Sequence, residues 1–186
     1  MKHKVIIGLT GASGMIYGKR LLEKLMTLQE QIQICSVILS EHAREVWEYE
    51  IGSFESFKIP FHVYELGNLF APMASGSSGY DSMIICPCTM GTLGRIASGI
   101  ATDLMTRAAD VILKERKKLI LVPREAPYNM IHLNNMKIVA DAGAVICPAS
   151  PSFYSKPASL EELIMTIVDR VLLLTSFEIG SYHWGE

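Results

Sequence analysis

Lys4-Val5-Ile6-Ile7-Gly8-Leu9-Thr10 runs straight into Gly11-Ala12-Ser13-Gly14 and then into the periodic stretch Tyr17 to Leu28. A compact β-branched apolar run, a glycine-rich turn and a helical periodicity read as strand, turn and helix. Ile32 to Leu39 (IQICSVIL) repeats the pattern, with the helix-like SEHAREVWEYE after it. It recurs at Ser82 to Cys86, Lys118 to Val122 and Ala144 to Cys147, each followed by a helical segment. Parallel strands cannot be closed by a hairpin, so this alternation predicts crossover helices on both faces of a parallel sheet. The fold class is α/β, a doubly wound parallel sheet.

The stretch from Gly52 to Tyr80 is less regular. It holds HVYEL as a strand and then the small-residue run APMASGSSGY, which reads as a mobile loop. A chain of 186 residues fits one domain, 1–186, with a sizeable core. Apolar residues at 49% and charged residues at 19% exclude a disordered class. A formal charge of -2 draws in neither nucleic acid nor an anionic membrane, so an anionic ligand must be caught by local groups. The cysteines Cys35, Cys86, Cys88 and Cys147 sit in or beside apolar runs, where free thiols are small buried hydrophobes suited to a reducing cytoplasm. The apolar run Val5 to Leu9 is too short for a signal-peptide core, and no segment reaches about 18 apolar residues, so export and membrane insertion are not expected.

In sheets of this kind ligands bind beyond the carboxyl ends of the strands. Thr10-Gly11-Ala12-Ser13-Gly14 offers backbone amides and a hydroxyl to an anion at a helix start, with Ser13 as a plain cap the simpler reading. The dinucleotide pattern GxGxxG is absent and no acidic residue ends the second strand, which disfavours NAD. Ser40 ends the second strand in the same relative position, and Glu50 lies at the far end of the next helix. Taken singly, these are an N-cap and a solvated charge.

Cys86-Pro87-Cys88-Thr89-Met90-Gly91-Thr92 closes another strand with two hydroxyls at a helix start, a second anion or flavin-edge cradle. Without a second Cys/His pair it is a poor metal site, and no histidine is placed to activate a thiol. Arg107 and Lys114 are seven apart in a helical stretch and share a face, although Lys114 could simply pair with Asp110. Arg124 and Glu125 occupy the next strand end, and Phe153-Tyr154 the last, with Arg170 in the C-terminal helix. A cation beside a carboxylate on a strand-end loop suits a site better than a core. The aromatics Trp47, Tyr49, Phe153 and Trp184 are expected to bury surface between subunits. These readings reach an α/β domain with several anion-friendly strand ends and leave the reaction open.

GLTGASG, CPCTMGT, LMTRAADVILKERKKLILVPREAPYNMIHLNNM and PASPSFYSKP, in that order, resemble the UbiX/Pad flavin prenyltransferase family over nearly the whole chain. The resemblance implies a Rossmann/flavodoxin-like homo-oligomer, a dodecamer in that family. It implies use of reduced FMN and dimethylallyl monophosphate, without a metal, to make prenylated FMN for decarboxylases of the UbiD type. Carried over by motif, Gly11, Ala12, Ser13, Ser40, Thr89, Met90, Gly91, Thr92 and Arg124 would hold FMN. Arg107, Lys114, Tyr154 and Arg170 would hold the isoprenyl phosphate. Ser13 and Glu50 resemble the pair that handles the departing phosphate, and Glu125 the carboxylate that assists ring closure. The Gly76 loop, with Tyr154, would exclude water. Thr89 replaces the usual Ser, Gly91 stands where Lys is common, and Asp103 stands where Asn is usual, adding a negative charge near a phosphate-handling helix. The alternatives are a flavin-dependent cysteine decarboxylase of the same superfamily and a non-enzymatic FMN-binding accessory subunit.

Overall fold

The computed structural model describes residues 2–181 and Gly185. Six strands form one all-parallel sheet in the order β3-β2-β1-β4-β5-β6. They are β1 (His3–Leu9), β2 (Ile32–Leu39), β3 (His62–Glu65), β4 (Ser82–Cys88), β5 (Lys118–Pro123) and β6 (Val145–Ile146). The helices are α1 (Met15–Thr27), α2 (Glu41–Glu50), α3 (Met90–Ala97), α4 (Leu104–Lys114), α5 (Met130–Asp141) and α6 (Leu160–Leu174). β1 and β4 are buried on both faces, which is why they read as unbroken apolar runs rather than as alternating ones.

Alternate strand residues feed two cores. Val5, Ile7 and Leu9 pack with α1, α2 and α6, whereas Ile6, Met83 and Ile85 pack with α3, α4 and α5. α1 meets the sheet closely because Gly18 carries no side chain. A Cβ there would lie 2.7 Å from Leu9 Cδ2 and 2.8 Å from the Cys86 carbonyl oxygen.

Three expectations change. The run 71–80 is not a free loop: Pro72–Ala74 and Gly76–Ser78 form 3-10 turns, with Ala71, Met73 and Tyr80 buried. It closes at the amino edge of the sheet, where Lys4 Nζ donates to the Ser78 carbonyl and Asp81 N to the Lys4 carbonyl. Gly76 therefore lies at the opposite end from the carboxyl-terminal loops, and within one chain it cannot shield them. Trp47 is fully buried in its own chain, edge-on to Phe54 at 5.0 Å, so it is not interface surface. Tyr49 and Phe153 are exposed, and Trp184 lies outside the described residues.

Gly18→Ala should destabilise the protein by about 1 to 3 kcal/mol, because the backbone oxygen of Cys86 cannot yield as a flexible side chain would. The check is the thermal midpoint, which should fall by several degrees; a midpoint equal to wild type would show that α1 can lift off the sheet.

Candidate functional site

Successive strands run one way from β1 to β3, and the chain then returns to the other side of β1 to lay down β4. Two connections thus diverge above adjacent strand ends, and this is where open α/β sheets hold ligands. The two ends are clamped together: Thr10 Oγ1 donates to the Pro87 carbonyl at 2.8 Å and accepts from Thr89 N at 2.8 Å. Above them opens a cleft of about 680 Å³, within the usual size of cofactor pockets.

Each wall has a local cause. Gly11 allows α2 to approach, since a Cβ there would sit 2.6 Å from His42 Cβ and 3.0 Å from the His42 carbonyl carbon. Ser40 is the N-cap of α2, accepting from Ala43 N at 3.0 Å. Thr89 is the N-cap of α3, accepting from Thr92 N at 3.1 Å and donating to Thr92 Oγ1 at 3.0 Å. The first turn of α3 has no acidic residue, so no carboxylate of its own competes for its amides and hydroxyls. Two hydroxyl-capped helix starts around one cleft of this size fit a phosphorylated flavin.

Of the residues assigned to the flavin, Gly11, Ser40, Thr89 and Thr92 line this cleft. Ala12 and Met90 are buried, while Ser13, Gly91 and Arg124 lie outside the lining. Arg124 nevertheless braces the first turn, its Nε donating to the Ser13 carbonyl at 2.8 Å. Glu125 stays beside it on the strand-end loop and accepts from Ala126 N at 3.1 Å.

Ser13 is not a helix cap. The N-cap of α1 is Gly14, held at φ 97, and the cap carboxylate comes from Glu50, 36 positions along. Glu50 accepts from Gly14 N at 2.9 Å and from Met15 N at 2.8 Å. A charged acceptor on two orphan helix amides is among the stronger hydrogen-bonding arrangements. Glu50 is therefore no solvated bystander: it lies directly against the turn that carries Ser13.

The four groups assigned to the isoprenyl phosphate do not meet within one chain. Arg107 and Lys114 are on α4, whose buried side joins the β4–α3–α4–α5 core, whereas Arg170 is on α6 across the sheet. Arg107 donates to the Ala74 carbonyl at 3.1 Å and to Asp110 at 2.8 Å. Lys114 pairs with Glu115 at 2.9 Å rather than with Asp110, correcting the helix-pair reading. Arg170 lines a groove with Cys147 and Pro148 beyond β6. Tyr154 is exposed in the segment before α6, which Ser152 N ties to Thr166 Oγ1 at 3.2 Å.

The sequence reading missed Arg95, which shares the flavin cleft. The guanidinium pairs with Asp103 through Nη1, and Nη2 lies 3.4 Å from Thr92 Oγ1. Asp103 also caps α4 in a box with Thr106, so the charge expected to disturb this region is already matched. The spacing of Arg95 from Thr92, one helical turn, was the available signal.

The family model described as Flavoprotein matches residues 1–172. The flavin prenyltransferase UbiX of Methanocaldococcus jannaschii is 40% identical over 185 residues, covering 98% of both chains. A crystal structure of AnUbiX in complex with FMN and dimethylallyl pyrophosphate superposes with a TM-score of 0.91 at 36% identity, covering 100% of both chains. The dodecameric FMN-dependent UbiX-like decarboxylase of Escherichia coli O157:H7 gives 0.88 at 36% identity over 97% of this chain and 98% of that one. The fold and the cleft define a flavoprotein, and the chain belongs, within that class, to the UbiX family of flavin prenyltransferases.

The thiols take no part in the cleft chemistry. Burial pushes Cys35 and Cys88 up to about 12 and Cys86 further still. Thiolates are the reactive form, so these three should resist a disulfide probe at pH 8 in the native protein, and all four should react in denaturant. Their protons are held more tightly when folded. Stability should therefore be level below about pH 8, where both states are protonated, and fall as pH rises through the unfolded thiol range by up to about 1.4 kcal/mol per pH unit for each such thiol. Denaturant midpoints at pH 8 and pH 10.5 check this; equal midpoints would contradict it.

Proposed function

We propose that this chain transfers a dimethylallyl group from dimethylallyl phosphate to reduced FMN. It forms bonds to N5 and C6 and releases prenylated FMN for a UbiD-type decarboxylase. The observation that carries this reading is the convergence of Gly11, Ser40, Thr89 and Thr92 on one cleft at the β1/β4 divergence, in a chain of the UbiX family. Reduced flavin supplies the nucleophilic edge, and phosphate is the leaving group.

The chain's residues divide the remaining work. Ionising an allylic phosphate needs its oxygens neutralised and water kept out. Arg107, Lys114 and Arg170 supply positive charge and Tyr154 a hydroxyl. Ser13 donates to the departing phosphate, and the Glu50 carboxylate, seated on the Gly14 and Met15 amides, holds Ser13's turn in place. Glu125 stands on the loop next to Arg124, where its carboxylate takes the proton lost as the new ring closes.

The positions of α4 and α6 on opposite faces of the sheet favour a site completed between copies: one contributes Arg107 and Lys114, another Tyr154 and Arg170. Homo-oligomerisation is further supported by α5, where Met130 and Ile131 are each 68% exposed and only Val139 is buried. An apolar helix with so little cover in its own chain is what an interface uses. Three buried thiols suit a reducing cytoplasm.

Anaerobic incubation with reduced FMN and dimethylallyl phosphate should release a flavin heavier by one isoprene unit, read by mass spectrometry; recovery of unmodified FMN alone would refute the activity. Arg107→Ala should lose about ten- to a hundredfold in donor affinity, as expected for one charge-assisted phosphate contact, while retaining FMN. Arg107→Ala and Arg170→Ala chains, each impaired at donor concentrations that serve wild type, should regain a fraction of turnover when unfolded and refolded together. Failure to complement, with each variant still assembled, would place all four groups within one chain's reach.

A further inference from the structure

Two arginines line the flavin cleft, Arg44 and Arg95; Arg44 has its guanidinium carbon 5.4 Å from the Phe54 ring centroid, whereas Arg95 stands at the α3 wall with no task in the preceding account. It emerges from the fifth position after Met90 opens α3, one turn beyond Thr92, and its side chain is 39% exposed where it borders the cleft. A side chain that served only to join helices would be expected to sit beneath the surface between them. This one is held at its Nη1 end by Asp103 and lies with Nη2 3.4 Å from the Thr92 hydroxyl.

The clip is rigid from behind. Asp103 accepts from Thr106 N at 2.8 Å through Oδ1, so Oδ2 is left for the guanidinium and the carboxylate cannot swing away without uncapping α4. A planar guanidinium with five donors can satisfy one carboxylate oxygen along one edge and still present the other edge to an anion. Fixing it in advance also reduces the side-chain entropy lost when that anion arrives.

The anion's place is narrowed by the neighbouring charges. The start of α2 carries Glu41 in its first turn, which repels a phosphate, whereas the first turn of α3 carries no acidic residue and two hydroxyls. The start of α1 already has the Glu50 carboxylate on its amides. Of the starts of α1, α2 and α3, the one at α3 is free of a carboxylate.

We propose that Arg95, locked by Asp103, binds the phosphate of FMN at the start of α3 together with Thr89 and Thr92, and so makes this chain select the phosphorylated flavin over riboflavin. The inference rests on the flavin reading given above. It assigns Arg95 to ligand binding and Asp103 to positioning, acting through Arg95.

The test is titration of the apoprotein with FMN and, separately, with riboflavin, followed by flavin fluorescence, for wild type, Arg95→Met, Arg95→Lys and Asp103→Asn. Wild type should prefer FMN. Arg95→Met should weaken FMN ten- to a hundredfold and leave riboflavin within about twofold, erasing most of the preference. Arg95→Lys keeps the charge without the fork and should fall between. Asp103→Asn should keep the preference while weakening FMN modestly, because the cation is loosened but still present. Thermal midpoints of each variant separate these effects from a loss of folding, and Arg95→Lys carries the test if Arg95→Met does not fold. If Arg95→Met keeps the FMN preference, or if both flavins weaken equally, Arg95 is a brace between α3 and α4 and the proposal is wrong. A wild type that binds neither flavin would overturn the flavin reading itself, a distinct result.

Discussion

Thr10 is 3% exposed, and its hydroxyl both donates to one peptide group of the β4 end and accepts from another. That two-way bond holds two strand ends together at the point where the chain's connections part, and the cleft exists because the parting occurs above a joint that does not open. A buried hydroxyl with both partners satisfied is costly to disturb, since losing either leaves an orphan in a dry environment. Ser40 and Thr89 owe their aim to it: each caps a helix whose first residue follows directly from a strand in this fixed frame. The helix starts aim their amides into the cleft by backbone direction, and the side chains of Glu41, Arg44, Glu65 and Arg95 add charge around them.

How much of this was legible in the sequence depended on how local each cause was. β2 was read with its ends correct, Ile32 to Leu39, because an apolar run between a turn and a serine cap fixes both limits. β6 was read two residues too long, since only Val145 and Ile146 reach β5. The caps at Ser40 and Thr89 were legible because a cap acts within three residues. The cap of α1 was not, because Glu50 reaches it from the far end of another helix, and nothing near Gly14 marks that partnership. Arg95 and its pairing with Asp103 escaped for a related reason: the two are eight apart, across the break between α3 and α4, and no single periodicity joins them.

The division of the charged groups between two faces of the sheet was equally hidden. Seven-residue spacing put Arg107 and Lys114 on one side of a helix, as it should. Whether that side shares a face of the sheet with Arg170 depends on how each crossover passes over the strands, which spacing does not encode. The irregular segment at 71–80 shows the same limit from the other direction. Its small residues suggested freedom, yet Met73 and Tyr80 are buried and Tyr80 shares a 2.7 Å hydrogen bond with Ser36. Composition reported the absence of an α-helix correctly and missed the 3-10 turns and the packing.

Gly11, in the cleft lining, and Gly91, in the first turn of α3 just outside it, differ in what they permit. Gly11 has the His42 backbone within about 3 Å of where a side chain would begin, while the nearest atom to such a position at Gly91 is Thr89 Oγ1 at 4.0 Å. One wall is therefore set by main chain pressed against main chain, and the other has room to accept new atoms. For anyone remodelling this protein toward a bulkier or differently substituted acceptor, the α3 side is the adjustable jaw. The β1 side is the fixed one, and libraries spread evenly over both would waste half their members.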